Sequence, residues 1–452
     1  MEGSVHSYLK FIAFPEFNLW DVKAYTSKKI TSKFPLVKLN NLLSTDKMEW
    51  VEIEDDKEYP ILGVRANGKG VYLNRIAKGS ELTMKKYQKS KVNYLFYCKV
   101  RTVNGQWGVV YPEFENTYGS SNMQYLKIDE TKINFKYFEL LLSIKKLTDE
   151  FDKNAVGADG RHFTLKTLLS LEIPLPSLRE QNIIVNNYSN QINNAEKLLL
   201  EASDLENEIE RYLLNELGVK VNSTIEKSSL LQFINFEETN RWDTLFLLGK
   251  IPTLKSKYPL VNFSKVIKFF NKDHSNKSIR VDSSKFPNEE FRYIGMEHIE
   301  KETGRLLDMP IVKGKEIKSQ TIKVPKDFIV YGKLRPYLNK YWINQTEYDN
   351  IICSSEFFVF DIDNGINKLF FKNVLSSKII QDQISDKTSG ARMPRINEEI
   401  FFNLQFPLPP IETQNIIALN ISNLISNIEK SKVDAGNLRL EAEQVFENAI
   451  FS

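Results

Sequence analysis

The sequence has 452 residues, of which 42% are hydrophobic and 26% charged, a balance typical of folded globular proteins and not of disordered ones. At roughly 100–200 residues per domain, this length predicts two or three domains. The net charge of +3, from 61 Lys and Arg against 58 Asp and Glu, excludes a histone-like polycation but allows a local basic groove.

The first half of the chain is predicted to be a mixed domain followed by a long helix. Residues 94–97 and 109–111 are mostly aromatic or β-branched and are bounded by Gly, Asn or Asp, as strands usually are. Residues 173–176 read Ile-Pro-Leu-Pro, an extended segment because proline fixes φ and cannot continue a preceding helix. The helix that follows is expected to end at Gly218, a typical C-terminal cap.

A glycine-rich segment at residues 63–70 matches the spacing GxxxxGK of a phosphate-binding loop. Gly70 stands where the hydroxyl ligand for Mg²⁺ is required, and the residues after it read as a strand, whereas a phosphate loop leads into a helix. We therefore favour a hairpin with basic tips, Arg65 and Lys69, that could lie against a DNA backbone. A nucleotide hydrolase centred on Lys69 is the least favoured alternative.

The second half of the sequence repeats the first. Trp20-Asp21 recurs as Trp242-Asp243 at an offset of 222, and the offset then rises to 233. An ordered series of matches with a nearly constant offset indicates duplication, with small insertions early in the second copy. Further matches join Pro35 to Pro259, Tyr97 to Tyr331, Ser120 to Ser354, Pro174 to Pro407 and Gln181 to Gln414.

Each copy ends in a heptad pattern, the clearest physical signal in the chain. In the second copy the seam positions alternate in steps of four and three residues without a break, and nine of the ten are apolar, which predicts one helical packing seam. These positions are Ile417, Ile421, Leu424, Ile428, Ser431, Ala435, Leu438, Ala442, Val445 and Ala449, and the counterparts of the last two in the first copy are Tyr212 and Glu216. Subtracting 233 gives the corresponding seam in the first copy, where eight of ten positions are apolar or aromatic. From these seams we predict helix–helix packing by Ile184, Leu198, Leu205, Ile209, Ile417, Leu424, Ile428 and Leu438.

The two seams predict a pair of antiparallel helices. About 33 seam residues at 1.5 Å each make a rod of roughly 50 Å. A parallel pair would require the connection to travel the rod again, so an antiparallel pair is favoured, with two similar domains held apart and related by a pseudo-two-fold axis. Such a rod could hold two DNA readers more than one helical turn apart, since B-DNA repeats every ~34 Å. The alternative is two separate amphipathic helices, each lying on its own domain.

Basic residues with aromatic neighbours mark candidate DNA contacts in both copies. Arg can bind guanine in a bidentate manner, whereas Lys mostly neutralises phosphate. Two loops of small residues, 157–161 and 389–392, each end in Arg and precede the two Pro-rich segments. Small residues would let the backbone approach a ligand closely. Any of these residues could instead be a solvated surface charge. The predicted DNA-binding residues are Arg65, Lys69, Lys99, Arg101, Arg161, Lys333, Arg335, Arg392 and Arg395.

No pattern predicts catalysis, a metal or a membrane span. The two cysteines, Cys98 and Cys353, are far apart, and neither CxxC nor HExxH occurs, so protein-built zinc and iron–sulfur sites are not expected. Few cysteines in a chain this long fit a reducing compartment. The sequence start lacks a signal-like apolar run, and no apolar run approaches the ~20 residues that span a bilayer. We expect a soluble, cytoplasmic protein without a catalytic centre.

The order of these features resembles the specificity subunit of type I restriction–modification systems. The resemblance covers roughly residues 20–452 and rests on two variable regions, each followed by a Pro-Leu-Pro entry and a long helix. The matching segments are residues 59–65, 173–181, 331–338, 353–357 and 406–414. Thr413 departs from the pattern, since the first copy has Glu180 there, and residues 1–19 lie outside the repeat.

The resemblance implies an α+β fold with two mixed α/β target-recognition domains and an antiparallel helical spacer. It implies that each domain reads half of a bipartite, asymmetric double-stranded DNA site. It further implies two methyltransferase subunits docked on this chain, and motor–nuclease subunits that complete the enzyme. S-adenosylmethionine, ATP and Mg²⁺ would belong to those partners, with no cofactor on this chain.

On this basis we predict four segments. Residues 1–172 would form the first target-recognition domain and residues 173–219 the first Pro-Leu-Pro entry with its spacer helix. Residues 220–405 would form the second domain, and residues 406–452 the second entry and helix. The main alternative is a coiled-coil scaffold protein that binds other proteins without reading DNA sequence.

Overall fold

The computed structural model describes residues 31–100, 105–152, 163–219, 254–268, 280–385 and 393–451. The chain divides into two compact units, the first comprising Met1–Leu198 with Val433–Ser452 and the second Leu199–Lys432. Each unit therefore combines a globular domain with parts of two long helices.

The first unit contains three sheets and the helices that cover them. Its strands are β1 (Leu36–Lys38), β2 (Leu43–Ser44), β3 (Trp50–Glu52), β4 (Glu58–Val64), β5 (Val71–Lys78), β6 (Lys86–Lys89), β7 (Tyr94–Cys98), β8 (Trp107–Val109), β9 (Tyr118–Gly119), β10 (Met123–Ile128) and β11 (Glu172–Pro174). Its helices are α1 (Phe135–Ser143), α2 (Lys145–Asp152), α3 (Leu165–Ser170) and the long α4 (Leu178–Leu217), which continues into the second unit. The strand orders are β1-β11, β2-β10-β7-β8 and β3-β6-β9-β4-β5.

The four-stranded sheet is the middle layer of this unit. Leu95 and Tyr97 of β7 face the cluster formed with α1 to α3, whereas Phe96 and Cys98 face the cluster formed with the five-stranded sheet. This alternation follows from the two-residue period of a strand, and because both faces are buried the strand is apolar throughout. The predicted strand at residues 94–97 is confirmed and extends one residue further.

The second unit repeats this architecture. Its strands are β12 (Leu260–Asn262), β13 (Ile267–Lys268), β14 (Arg280–Val281), β15 (Glu290–Ile294), β16 (Ile311–Lys313), β17 (Thr321–Lys323), β18 (Ile329–Gly332), β19 (Tyr341–Ile343), β20 (Ile351–Ser354), β21 (Phe357–Ile362) and β22 (Gln405–Pro407). Its helices are α5 (Phe263–Val266), α6 (Lys368–Ser376), α7 (Lys378–Ser385), α8 (Glu398–Phe402) and the long α9 (Ile411–Ile450), whose end belongs to the first unit.

The two units share one sheet topology, which confirms the predicted duplication. The strand orders of the second unit are β12-β22, β13-β21-β18-β19 and β14-β17-β20-β15-β16, the same arrangement strand for strand. Both five-stranded sheets contain one parallel pair at the equivalent place, β4 with β9 and β15 with β20. Helices α1 and α6 begin at residues 135 and 368, and α4 and α9 at 178 and 411, so the offset of 233 holds in three dimensions.

Helices α4 and α9 pack against each other in antiparallel orientation inside each unit. In the first unit the ring of Tyr188 on α4 lies 5.8 Å from that of Phe446 on α9. In the second, Lys432 Nζ lies 2.7 Å from Glu206 Oε1, and Asn420 Nδ2 donates to Tyr212 Oη at 2.7 Å. Moving forward along α4 therefore means moving backward along α9. Each helix has 40 residues, roughly 60 Å at 1.5 Å per residue, longer than the predicted rod.

The heptad seam holds through the middle of each helix but shifts near its end. Val445, an expected seam residue, is 40% exposed, and Phe446 takes the buried position. At the equivalent end of α4, Leu213 and Leu217 are buried instead of the predicted seam residues Tyr212 and Glu216, which are only half-buried. The physical reason is that these last turns pack on a domain core, where the 3.6-residue period of an unstrained helix replaces the 3.5-residue period of a coiled coil.

Helix α4 ends as the sequence predicts. Gly218 has φ +61°, its amide donates to Asn215 O at 3.0 Å, and Val219 N donates to Leu214 O at 2.9 Å. Glycine adopts this left-handed conformation without steric cost.

Candidate nucleic-acid interface

The β18–β19 connection of the second unit, residues 333–340, presents an exposed candidate cation, Arg335. Arg335 and Asn339 both have left-handed backbone conformations, with φ of 48° and 46°. Such conformations are uncommon for residues other than glycine and persist only where neighbouring contacts hold them. Between them, Tyr337 is 57% exposed, and the Arg335 side chain is also exposed. The turn therefore projects one guanidinium and one aromatic ring from a defined backbone.

Backbone hydrogen bonds fix this turn to two neighbouring segments. Lys333 N donates to Glu356 O at 2.8 Å, and Lys333 O accepts from Ile396 N at 3.1 Å. Arg335 N donates to Pro394 O at 2.7 Å. Because these anchors come from two segments distant from the turn in sequence, one at residue 356 and one at residues 394–396, the position of Arg335 is set by the fold of the unit and not by the turn alone.

Lys333 is held by the protein itself. Its ammonium donates to Ser355 O at 2.8 Å and lies 4.9 Å from the centre of the Phe358 ring. Burial lowers the pKa of Lys333. These contacts orient the start of the turn, and they leave this ammonium less available to a phosphate than a fully exposed lysine would be.

Arg395 forms a bidentate ion pair with Glu356. Its Nε lies 3.1 Å from Glu356 Oε2 and its Nη2 lies 3.0 Å from Oε1. In contrast, no ion pair involves the Arg335 guanidinium among the residues that the structure describes. Sequence reasoning missed Glu356 because nothing in the local sequence signals a partner 39 positions away.

The first unit has the same anchor at the equivalent turn. Lys99 N donates to Asn122 O at 2.9 Å, which corresponds to the bond from Lys333 to Glu356, and the Lys99 side chain is exposed. The remaining predicted residues Arg101, Arg161 and Arg392 lie outside the described part of the chain.

The glycine-rich segment of the first unit is a hairpin, as predicted. It joins β4 to β5, and Arg65 and Lys69 are exposed at its ends. Gly68 has φ +64°, and an added Cβ would lie 2.6 Å from Leu142 O, so the position requires glycine. The Arg65 guanidinium carbon lies 4.9 Å from the centre of the Tyr72 ring. A strand follows where a phosphate loop needs a helix, which removes the geometric basis for a nucleotide site here.

The predicted packing residues all lie on α4 or α9, with differing burial. Ile417 is fully buried and Ile428 is 6% exposed, whereas Ile184, Leu198, Leu205, Ile209, Leu424 and Leu438 are half-buried. The residues with the least exposure in the middle of the pair are small: Ala195, Ala202, Ala435 and Ala442.

Neither a metal cluster nor a membrane-spanning helix is found in the described ranges. No group of three or more His, Cys, Asp or Glu side chains there is placed to hold a metal ion. None of the helices described is both long and apolar enough to cross a bilayer.

Comparison with known proteins matches both halves of the chain to one family. The sequence-family model of the type I restriction modification DNA specificity domain matches residues 28–211 and again residues 261–435. The EcoDI type I restriction enzyme specificity subunit of Escherichia coli is 21% identical over 322 residues. That match covers 68% of this chain and 66% of the relative, so it spans just under two thirds of the relative's length.

A solved structure shares the fold at low sequence identity. A chain solved in work on complex assembly and conformational transition of the type I R-M system is 11% identical, with a TM-score of 0.55, over 94% of this chain and 99% of its own. The HsdS subunit from Thermoanaerobacter tengcongensis, also 11% identical, has a TM-score of 0.45, with 92% of this chain and 96% of its own covered. The two family matches together take in well over half of the sequence, and the chain thus belongs to the type I restriction modification DNA specificity family and carries its domain twice.

Proposed function

We propose that this chain is the DNA sequence-recognition subunit of a type I restriction–modification complex. Each unit reads one half of a bipartite site in double-stranded DNA, and the paired helices α4 and α9 hold the two readers apart. The observation that carries this proposal is the duplication of one domain, each copy joined to both long helices, with an exposed arginine turn fixed by the fold of the second copy.

The two half-sites are expected to differ because the loops differ on a shared scaffold. The connection between β4 and β5 has six residues, 65–70, whereas the equivalent connection between β15 and β16 runs from 295 to 310. Recognition residues in a bipartite reader lie on such loops, since base edges are read by side chains and not by the sheet framework. Different loops on the same framework support an asymmetric target.

Large apolar side chains exposed at equivalent positions of the two copies support docking of two copies of one partner, which we propose is the methyltransferase subunit. In the first unit Ile183 and Val433 are 51% and 61% exposed, and in the second Ile416 and Leu200 are 58% and 64% exposed. Ile183 and Ile416, and Leu200 and Val433, are related by the offset of 233.

Catalysis in this proposal belongs to the partners. The methyltransferase subunits bring S-adenosylmethionine, and motor–nuclease subunits bring ATP and Mg²⁺, while this chain needs no cofactor of its own. The cytoplasm is the proposed compartment, and the two free, buried thiols of Cys98 and Cys353 are consistent with it.

Binding by a complex reconstituted with its methyltransferase subunits tests the proposal. Arg335→Ala should weaken recognition at one half-site only, by about 1–3 kcal/mol if the guanidinium contacts a base. Arg211→Ala is the matched control, because Arg211 is an exposed arginine on α4 in the same unit. If the affinity falls equally for all DNA sequences, Arg335 contacts phosphate and not a base. If the affinity is unchanged, Arg335 is not part of the interface. ATP hydrolysis by the isolated chain that Lys69→Ala abolishes would favour the hydrolase alternative.

A further inference from the structure

A buried glutamine occupies the first turn of each long helix. Gln181 and Gln414 are the fourth residues of α4 and α9, and they are 0% and 2% exposed. Burying a side-chain amide is unfavourable unless its oxygen and nitrogen both find partners. The hydrogen bonds of these two side chains therefore show how the start of each long helix is attached to its domain.

In the second unit, Gln414 joins the start of α9 to the start of α6. Its Oε1 accepts from Asn367 N at 2.9 Å, and its Nε2 donates to Pro409 O at 2.9 Å. Asn367 is also the N-cap of α6, where its Oδ1 accepts from Phe370 N at 3.0 Å, and its Nδ2 donates to Asn415 Oδ1 at 2.8 Å. Asn367 thus caps the start of α6 and is hydrogen-bonded to the first turns of α9.

The first unit repeats each of these bonds and adds one. Gln181 Oε1 accepts from Asn134 N at 2.7 Å, and Gln181 Nε2 donates to Pro176 O at 2.9 Å. Asn134 Nδ2 donates to Asn182 Oδ1 at 2.9 Å. An additional bond runs from Gln181 Nε2 to Lys132 O at 3.0 Å. Every shared bond is displaced by 233 residues, although the loops of the two domains differ.

These bonds constrain geometry in a way that the surrounding apolar contacts do not. Apolar side chains can repack with small shifts, whereas a buried amide with both partners fixed tolerates little rotation. A rotation of about 5° at this joint would move a point ~30 Å along the helix by roughly 3 Å, close to the rise of one DNA base pair. A small change of angle at this joint, where the Gln and Asn side chains connect the long helix to its domain, is therefore enough to change which half-site spacing fits.

We propose that Gln181 and Gln414 are positioning residues that set the angle of each reading domain on its helix and thereby the length of the unread gap that the protein accepts. This inference rests on the proposed function. Neither glutamine needs to touch DNA, because each acts through the asparagine cap of its own domain.

The test uses the reconstituted methyltransferase complex and three duplexes with the natural gap or a gap one base pair shorter or longer. For Gln414→Leu, the ratio of Kd values between altered and natural gaps should fall by roughly 10-fold, as expected when one or two buried amide bonds no longer hold the joint. Gln383→Leu is the matched control. Gln383 exchanges two hydrogen bonds with the backbone of Gln405 at 2.7 and 2.9 Å, inside the same unit but with partners other than Asn367 and Pro409.

The outcomes separate this inference from the proposed function. Gap discrimination that survives Gln414→Leu while melting temperature falls would show a purely structural role and overturn the inference. A wild-type complex without any gap preference would contradict the proposed function instead. Should Gln414→Leu fail to fold, Gln414→Glu retains the acceptor for Asn367 N, and its second carboxylate oxygen, when ionised, replaces the donor to Pro409 O with a charge that repels this carbonyl. It should then show a partial loss of gap discrimination, and full retention would count against the proposal.

Discussion

Lengthening both long helices by one heptad is the sharpest perturbation of the proposed spacer. The insertions are placed after Leu198 in α4 and after Ala435 in α9. They leave the Tyr188–Phe446 contact and the Glu206–Lys432 contact on their original sides. Seven residues preserve the phase of the seam, because the apolar pattern repeats every seven positions.

The expected displacement follows from helix geometry. Seven residues at 1.5 Å each lengthen the pair by roughly 10 Å, which corresponds to about 3 bp of B-DNA. The gap between the two half-sites should therefore widen by about 3 bp while the bases of each half-site stay the same. The readout is methylation by the reconstituted complex on a library of sites with different gaps.

A single insertion provides the control. Seven residues added to α4 alone leave α9 without a matching partner segment, so methylation should fall on every gap length. If the double insertion methylates the original gap with undiminished preference, then α4 and α9 do not set the spacing and the proposed role of the helix pair is wrong.

Two further predictions concern stability in the second unit. Ile421→Ala should lower the free energy of unfolding by about 2–5 kcal/mol, because Ile421 is fully buried in a core that contains Leu213 and Leu217 of α4. The control Leu419→Ala, at a position 62% exposed, should change it by only about 0.5 kcal/mol. Equal effects of the two substitutions in calorimetric melting would contradict this packing. Burial raises the pKa of Glu210, so the protonated form stabilises the fold. That stabilisation is complete below the unfolded pKa of about 4.3 and is lost as pH rises through the higher folded pKa. Glu210→Gln keeps an oxygen acceptor for Lys378 N and should remove this loss of stability with rising pH. If urea unfolding shows the same pH dependence for the wild type and the variant between pH 4 and 7, Glu210 is not the group responsible.

The sequence predicts the duplication and the helix pair because both rest on regular patterns. An offset that settles near 233 and a seven-residue period are visible without any knowledge of partners, and Ile417 and Ile428, which the heptads place on the seam, are buried. The patterns fail where a helix leaves its partner and packs on a domain, as at Val445 and Phe446, because the local period then follows the core that it covers.

The candidate interface is less predictable than the fold because its geometry depends on long-range contacts. The left-handed conformation of Arg335 is held by Pro394, and Arg395 is paired with Glu356, contacts between residues distant in the sequence. The basic turn is recognisable from composition, but composition does not distinguish Arg395, which is paired with Glu356, from Arg335, which has no ion-pair partner within the described ranges. The glutamine joint lies between these cases, since the repeated Gln-Asn pair is visible in the sequence while its asparagine partner, 47 residues earlier, is not.

The most direct test of the central claim is a footprint of the reconstituted complex on a duplex that carries its methylation site. Two recognition domains joined by a helical spacer predict two protected patches separated by base pairs whose identity can be changed without loss of binding. A single continuous patch, or protection that does not depend on sequence in either half, would contradict the account.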